Sequence, residues 1–291
     1  MKAAVQKEYC PPKDLRLSEI AKPVVGDGDV LVRVRAAGVN PLDWHFVRGT
    51  PYVMRLAVGL SRPKVPVRGV DVAGQVESVG KNVTNVRPGD DVFGWCDGSF
   101  AEYASAPEDH FVAKPKSITH EEAAAVPVAA VTALQGLRDV GKLQSGQRVL
   151  INGAAGGVGT FAVQIAKALG AEVTGVCSSR NVDLVKSLGA DQVIDYTRED
   201  FTKAALRYNL ILDNAGSKSV SALRKMLVPG GRLVYNSGGS MPRIAMAGLL
   251  SRLGQNVFTF LARINHDDLT FLRDLIDSGR LRSVIDRISA G

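Results

Sequence analysis

The chain has 291 residues, of which 45% are hydrophobic and 22% charged, and a formal net charge of +7. This is the composition of an ordinary globular protein with room for two domains, and it excludes a disordered or fibrous chain. The basic excess is spread along the sequence with no basic tail or lysine-arginine stripe, so no nucleic-acid partner is expected. No run approaches the roughly 18 apolar residues of a membrane span, so no integral membrane segment is expected. The opening Met1-Lys2-Ala3-Ala4-Val5 has neither an apolar signal segment nor an arginine-serine-rich presequence, which predicts a cytoplasmic location. Cys10, Cys96 and Cys177 are far apart and suit a reducing compartment without disulfides.

Residues 1–118 read as short strands, at 30–35, 72–79, 91–94 and 111–112, separated by turns such as Gly26-Asp27-Gly28 and Arg87-Pro88-Gly89-Asp90. That is an all-β, barrel-like pattern. Within it, Arg48, Arg55, Arg62, Lys64 and Arg68 form a stretch with no acid between Asp43 and Asp71, either a solvated loop or a surface for an anionic substrate or a membrane. From Glu121-Glu122-Ala123-Ala124-Ala125 the character changes, and strands at 148–151, 172–176, 192–195, 209–213 and 232–236, with a possible sixth at 256–260, alternate with helices. Such alternation predicts an α/β fold with a doubly wound parallel sheet. The expected domains are 1–118, 119–265 and a C-terminal helical segment, 266–291.

The strongest local signal follows the strand at 148–151. Ala154-Ala155-Gly156-Gly157-Val158-Gly159 opens a helix over 160–169, and the next strand completes a unit of about 30 residues, as a dinucleotide-binding fingerprint requires. Gly156 and Gly159 hold the second and third glycine places, whereas the first is Ala154, which is tolerable at negative φ. Backbone N–H groups around Gly156, Gly157 and Val158 and the helix N-terminus suit a pyrophosphate. At the end of the second strand, Ser178-Ser179-Arg180-Asn181 offers two hydroxyls and a guanidinium, with no acid before Asp183. An adenosine 2'-phosphate suits that set and a carboxylate would repel it, so the cofactor reads as NADPH rather than NADH. The alternative is that Ser179 and Asn181 cap the next helix while Arg180 is solvated. Asn214, Ser237 and Gly238 fall beyond the carboxyl ends of later strands, either as cofactor contacts or as turns.

The order of pieces resembles the medium-chain dehydrogenase/reductase superfamily, with a GroES-like β-barrel domain followed by a Rossmann domain. Within it the chain is similar to the zinc-free, zeta-crystallin-like quinone oxidoreductases, especially the chloroplast-envelope enzymes and the reticulon-interacting mitochondrial homologues. The segments that carry the resemblance are Gly38-Val39-Asn40-Pro41-Leu42-Asp43-Trp44, Gly69-Val70-Asp71-Val72-Ala73-Gly74, Ala130-Val131-Thr132-Ala133-Leu134, Gly156-Gly157-Val158-Gly159, and Lys186-Ser187-Leu188-Gly189-Ala190-Asp191 with Asp195-Tyr196. The resemblance implies that Asn40, Asp43 and His45 line a cleft near the nicotinamide, that Thr132 touches its carboxamide and that Tyr196 lies against the adenosine phosphate. It also implies a homodimer, with the 256–260 run pairing across the interface, and a chain that in relatives continues past a segment like Val284-Ile285-Asp286-Arg287.

Zinc members of that superfamily hold the metal with a thiolate and an imidazole. Here Asn40 stands at the cysteine position and Val70-Asp71 replaces a His-Glu pair, so no metal is expected. Without a Lewis acid, alcohol oxidation is disfavoured. A quinone or an α,β-unsaturated carbonyl is an electrophile that accepts hydride without one. Asn40 and Asp43 are the catalytic candidates, with Tyr52 as the phenol nearest the cleft loop, although Asp43 equally suits a turn after Asn40-Pro41 and Tyr52 a pocket wall. The competing reading is a non-catalytic NADPH-binding regulatory protein.

Overall fold

The computed structural model describes residues 1–236, 248, 251 and 256–289. They divide into two compact units: Met1–Val128 with Ile264–Asp277 and Ile285–Gly291, and Ala129–Arg263 with Ser278–Val284. The first unit extends past the boundary expected at residue 118, and the segment expected as a separate 266–291 piece is divided between the two.

In the first unit, β1 (Lys2–Val5) pairs antiparallel with β2 (Arg16–Glu19). A five-stranded antiparallel sheet has the order β6 (Tyr103–Pro107), β3 (Asp29–Gly38), β4 (Asp71–Val79), β5 (Asp91–Trp95), β7 (Phe111–Ala113). Alternation along these strands turns Val30, Val32, Val72, Val76, Val92 and Phe111 into one core with Cys96, Ala104 and Ala106. Fully burying each of the larger side chains contributes about 1.5–3 kcal/mol. Two strands escape a reading for apolar alternation. β2 is Arg-Leu-Ser-Glu with three of its four residues exposed, and β6 buries only alanines.

Helix α1 (Pro41–Arg48) begins with proline at its first position, where the missing N–H costs nothing, and stops at Gly49 in the left-handed conformation, φ 59°. A single turn, α2 (Arg55–Val58), follows. Helix α3 (His120–Ala124) is closed by a reciprocal cap in which Glu122 N–H donates to Thr119 Oγ1 and Thr119 N–H to Glu122 Oε2. It packs against β3, β4 and β5, which is why the first unit reaches past residue 118.

The second unit starts with α4 (Pro127–Leu134), shared with the end of the first, and is built on a six-stranded, all-parallel sheet. Its strands are β8 (Arg148–Asn152), β9 (Glu172–Cys177), β10 (Gln192–Asp195), β11 (Tyr208–Asp213), β12 (Leu227–Tyr235) and β13 (Val257–Thr259). Helices α5 (Gly157–Ala168), α6 (Val182–Ser187) and α7 (Val220–Arg224) connect them, and α8 (His266–Asp277) returns to the first unit against β7. Val149, Leu150 and Ile151 are all fully buried, because helices cover both faces of a parallel sheet. Leu150, Val176, Phe201, Ile211, Leu233 and Val257 lie in one core cluster. The spatial order is β10-β9-β8-β11-β12-β13. Counted from β8 this is 3-2-1-4-5-6, the arrangement of doubly wound dinucleotide-binding sheets, and its order reverses between β8 and β11.

Candidate functional site

The turn after β8 is built around Gly153. Its φ of 80° lets its own N–H and that of Ala154 both donate to Val176 O, at 3.2 and 3.0 Å. Among the described residues, Lys142 is the one non-glycine at positive φ, so Ala154 takes the first glycine place without strain. The other glycines are not equivalent. A Cβ on Gly159 would lie 2.1 Å from Gly153 O, whereas one on Gly157 would meet nothing within 4 Å. Gly159 therefore serves the packing of helix on strand, and Gly157 keeps a space open in front of the first turn of α5, whose N–H groups have no partner within the helix.

At the carboxyl end of β9, Asn181 N–H donates to Ser178 O at 2.9 Å, and Asn181 Nδ2 donates to Ser178 Oγ at 3.4 Å. Arg180 is exposed, and among the described residues nothing pairs with its guanidinium. Ser179 is different. Its hydroxyl donates to Asp195 Oδ2 and lies 2.8 Å from Thr197 Oγ1. An acid missing from the chain before Asp183 thus arrives from β10, because the parallel register sets Asp195 beside Cys177. The hydrogen bonds from Ser179 and Thr197 hold the Asp195 carboxyl below its ordinary pKa. Tyr196, with an exposed ring, is anchored there by its N–H to Cys177 O, at 3.0 Å.

Where the strand order reverses, a polar cluster closes the carboxyl edge of the sheet. Asn152 Nδ2 donates to Asp213 Oδ1 at 2.7 Å, and the same oxygen accepts from Ala215 N–H and Gly216 N–H at 3.2 and 3.0 Å. Asn214 N–H donates to Asn152 O, and Asn214 Oδ1 accepts from Asn236 Nδ2 at 2.9 Å. The Asn214 Nδ2 group is buried with no acceptor among the described residues, an arrangement that costs free energy unless a ligand completes it. Thr132 is buried within α4. Ser237 and Gly238 lie outside the described residues.

In the first unit, the candidates around α1 form a hydrogen-bonded group. Asn40 N–H donates to Asp43 Oδ2 at 2.8 Å and Asn40 Nδ2 donates to Asp71 Oδ2 at 2.9 Å. Val128 N–H donates to both Asp71 oxygens, at 3.1 and 3.2 Å. Asp43 and Asp71 are 3% and 1% exposed. Burial raises the Asp43 carboxyl to about 6, against the opposing pull of the Asn40 N–H and the Arg68 charge, and Asp43 Oδ1 is buried without a donor. Burial also drives Asp71 well above its ordinary value, with the charge of Asp43 adding to the rise. Arg68 is itself buried, donating through Nε to Gln6 Oε1 at 2.7 Å and through Nη2 to Val65 O at 2.6 Å. His45 Nδ1 lies 2.7 Å from Thr50 O, so in the neutral ring that nitrogen carries the proton and Nε2 is the free acceptor. Tyr52 stands apart, 73% exposed, with the Arg55 guanidinium 4.7 Å from its ring centre.

In the sequence Asn40 and Asp43 stand out, whereas Asp71 and Asp195 have no assigned role and Arg68 belongs to a stretch expected to be solvated or anion-facing; Arg68 is buried instead. Asp71 and Arg68 are signalled in retrospect by lying in strand-like, apolar surroundings, where a charged residue needs a partner. Asp195 is signalled by being the last residue of a strand adjacent to the fingerprint.

Fold and strand-edge site together define a two-domain dehydrogenase/reductase. Residues 26–116 match the alcohol dehydrogenase GroES-like domain, and residues 188–290 match the zinc-binding dehydrogenase domain. The chain is 33% identical to a chloroplastic quinone oxidoreductase, QR1, of Triphysaria versicolor, over 94% of this chain and 85% of that one. It is also 33% identical to the 2-methylene-furan-3-one reductase of Solanum lycopersicum, over 98% of this chain and 71% of that one. The solved quinone oxidoreductase of Coxiella burnetii superposes with a TM-score of 0.86 at 30% identity, covering 98% of this chain and 90% of that one. The chain belongs to the quinone oxidoreductase branch of the medium-chain dehydrogenase/reductase superfamily, a superfamily of oxidoreductases.

The zinc implied by the second domain's description does not fit the residues present. Asn40 and Asp71 satisfy one another, Val70 offers no ligand atom, and among the described residues no group of three or more His, Cys, Asp or Glu side chains is placed to hold a metal ion. Among the described residues, no helix is long and apolar enough to cross a membrane.

Proposed function

We propose that the chain is an NADPH-dependent, zinc-independent oxidoreductase that reduces a quinone or an α,β-unsaturated carbonyl. The observation that carries this reading is the Arg180 guanidinium at the carboxyl end of β9, unpaired among the described residues, together with the open space over Gly157 after the neighbouring strand β8. A dinucleotide fits there by the chemistry of its donors. The N–H groups at the start of α5 would receive the pyrophosphate, Arg180 and Ser178 the 2'-phosphate, and Asn214 Nδ2, without an acceptor among the described residues, would donate to the dinucleotide. Bound NADPH supplies hydride to the acceptor.

The remaining work falls to the protein. Tyr196 offers an exposed ring beside the adenosine end, and Thr132 a hydroxyl for the carboxamide. In the first unit, Asn40 holds two buried carboxyl groups in place, and His45 keeps Nε2 available. Asp43, its carboxyl raised to about 6 by burial, is the candidate to pass a proton to a reduced carbonyl oxygen. A conjugated acceptor is favoured because Asn40, Val70 and Asp71 make no ligand set for the Lewis acid that a simple carbonyl or alkoxide needs. The relatives named for quinones and for a methylene-furanone support that acceptor class. Pairing of two copies through β13, the edge strand of the parallel sheet, is the proposed dimer contact, which light scattering of the purified protein tests.

Consumption of NADPH with a panel of naphthoquinones, enones and alkenals tests the function. Turnover of at least one member is expected, with a primary alcohol and NADP+ inert. Tight NADPH binding with no acceptor consumed would instead establish the non-catalytic reading.

A further inference from the structure

Ser179, Asp195 and Thr197 form a closed triangle at the ends of β9 and β10. Ser179 Oγ meets Asp195 Oδ2, Thr197 Oγ1 meets Asp195 Oδ1 at 2.6 Å, and the two hydroxyl oxygens lie 2.8 Å apart. Thr197 N–H adds a third donor to the carboxylate, at 2.9 Å. Three oxygen pairs have only two hydroxyl protons between them. Whichever way these are distributed, the Ser179 proton is used inside the triangle, on Asp195 or on Thr197. A 2'-phosphate is an acceptor with no proton to give, so it gains nothing from Ser179 and meets the charge of Asp195. A ribose 2'-hydroxyl is a donor, and the oxygens of Ser179 and Asp195 are acceptors for it. Arg180, unpaired among the described residues, pulls in the opposite direction.

We infer that Asp195 is a specificity-determining residue that restrains the preference for NADPH by withdrawing the Ser179 hydroxyl from the phosphate, leaving the site able to accept NADH as well. The inference rests on the dinucleotide reading of the β8-to-β9 edge. Asp195→Asn preserves the shape, removes the charge and can donate to Ser179 Oγ, which frees the serine proton.

The test uses two fragments that report the adenosine end without any hydride transfer, adenosine 2',5'-bisphosphate and 5'-AMP, titrated by calorimetry into the full chain. Asp195→Asn is expected to raise the ratio of bisphosphate to AMP affinity by about tenfold, as for gain of a charge-assisted hydrogen bond and loss of a like charge. In a Ser179→Ala background the same substitution is expected to give a smaller gain, since no hydroxyl remains to be released. Both fragments are titrated into the same preparation, so a loss of folded protein alters the stoichiometry rather than the ratio. Asp195→Ser replaces the asparagine variant if that does not fold. An unchanged ratio, or an equal gain with and without the Ser179 hydroxyl, overturns the assignment to Asp195 while leaving the dinucleotide site standing. Failure of the unsubstituted protein to bind either fragment, NADH or NADPH overturns the dinucleotide reading itself.

Discussion

Asn40 Nδ2 donates to Asp71 Oδ2 at 2.9 Å, across 31 residues of sequence, joining a half-buried amide to a buried carboxyl in the first unit. A carboxyl group that is 1% exposed depends on such donors, because burial without them costs far more than the hydrogen bonds themselves contribute. Asn40→Ala removes one of them and is expected to cost roughly 1.5–3 kcal/mol in urea unfolding. Stability unchanged within error would show that Asp71 does not need the amide.

The same pairing predicts metal independence. Protein dialysed against a strong chelator is expected to keep its acceptor turnover and to contain no stoichiometric zinc by elemental analysis. Activity lost on dialysis and restored by zinc would contradict the reading of Asn40, Val70 and Asp71.

Asp43 sets a pH dependence. Its carboxyl titrates at about 6 when folded, against an ordinary 3.8, so between those values the folded protein binds more protons than the unfolded chain. Stability therefore falls as pH rises through that window, and above it the full cost stands, roughly 3 kcal/mol. Asp71, raised for the same reason, adds a fall of the same sign. Asp43→Asn keeps an acceptor for Asn40 N–H and cannot ionise. Relative to the parent, its stability in denaturant is expected to rise steadily from about pH 4 to about pH 6. A constant difference across that range would place the ionisation elsewhere.

Two glycines two residues apart, Gly157 and Gly159, are expected to behave in opposite ways when changed to alanine. Gly159→Ala drives a methyl group into Gly153 O and is expected to cost more than about 2 kcal/mol of stability. Gly157→Ala meets nothing in the protein and is expected to leave stability within about 0.5 kcal/mol, yet to weaken dinucleotide binding by about tenfold because the methyl fills the space a pyrophosphate approaches. Melting curves and calorimetry on the two variants separate the effects.

For cofactor choice, Arg180→Ala is expected to weaken NADPH by about 1.5–3 kcal/mol, more than tenfold, with little change for NADH. Equal losses for both, measured by fluorescence titration, would remove the 2'-phosphate from that position.

Much of the second unit was legible in the chain because its signals are local. The apolar run Val149-Leu150-Ile151, the glycines that follow and the positive φ tolerated at Gly153 all fall within a few residues of each other. The contact of Ser179 with Asp195 was not legible, since it depends on the register of two parallel strands, which no short-range pattern encodes. In the first unit, the valine alternation of β3 and β4 was visible, whereas β2, mostly exposed, and β6, burying only alanines, carry no comparable signal. Asp43 was read as either a catalytic or a turn residue. Asp43 caps the start of α1 through the Asn40 N–H, which is the turn role, and its burial raises the carboxyl to about 6.

Hydride transfer to a conjugated acceptor is tested most directly by NADPH carrying deuterium at both positions of its reactive carbon, incubated with the full chain and a simple enone, with the product analysed by mass spectrometry. A saturated ketone carrying deuterium at its β carbon is the expected result. An unlabelled product, or no product with any enone or quinone while NADPH remains bound, would contradict it.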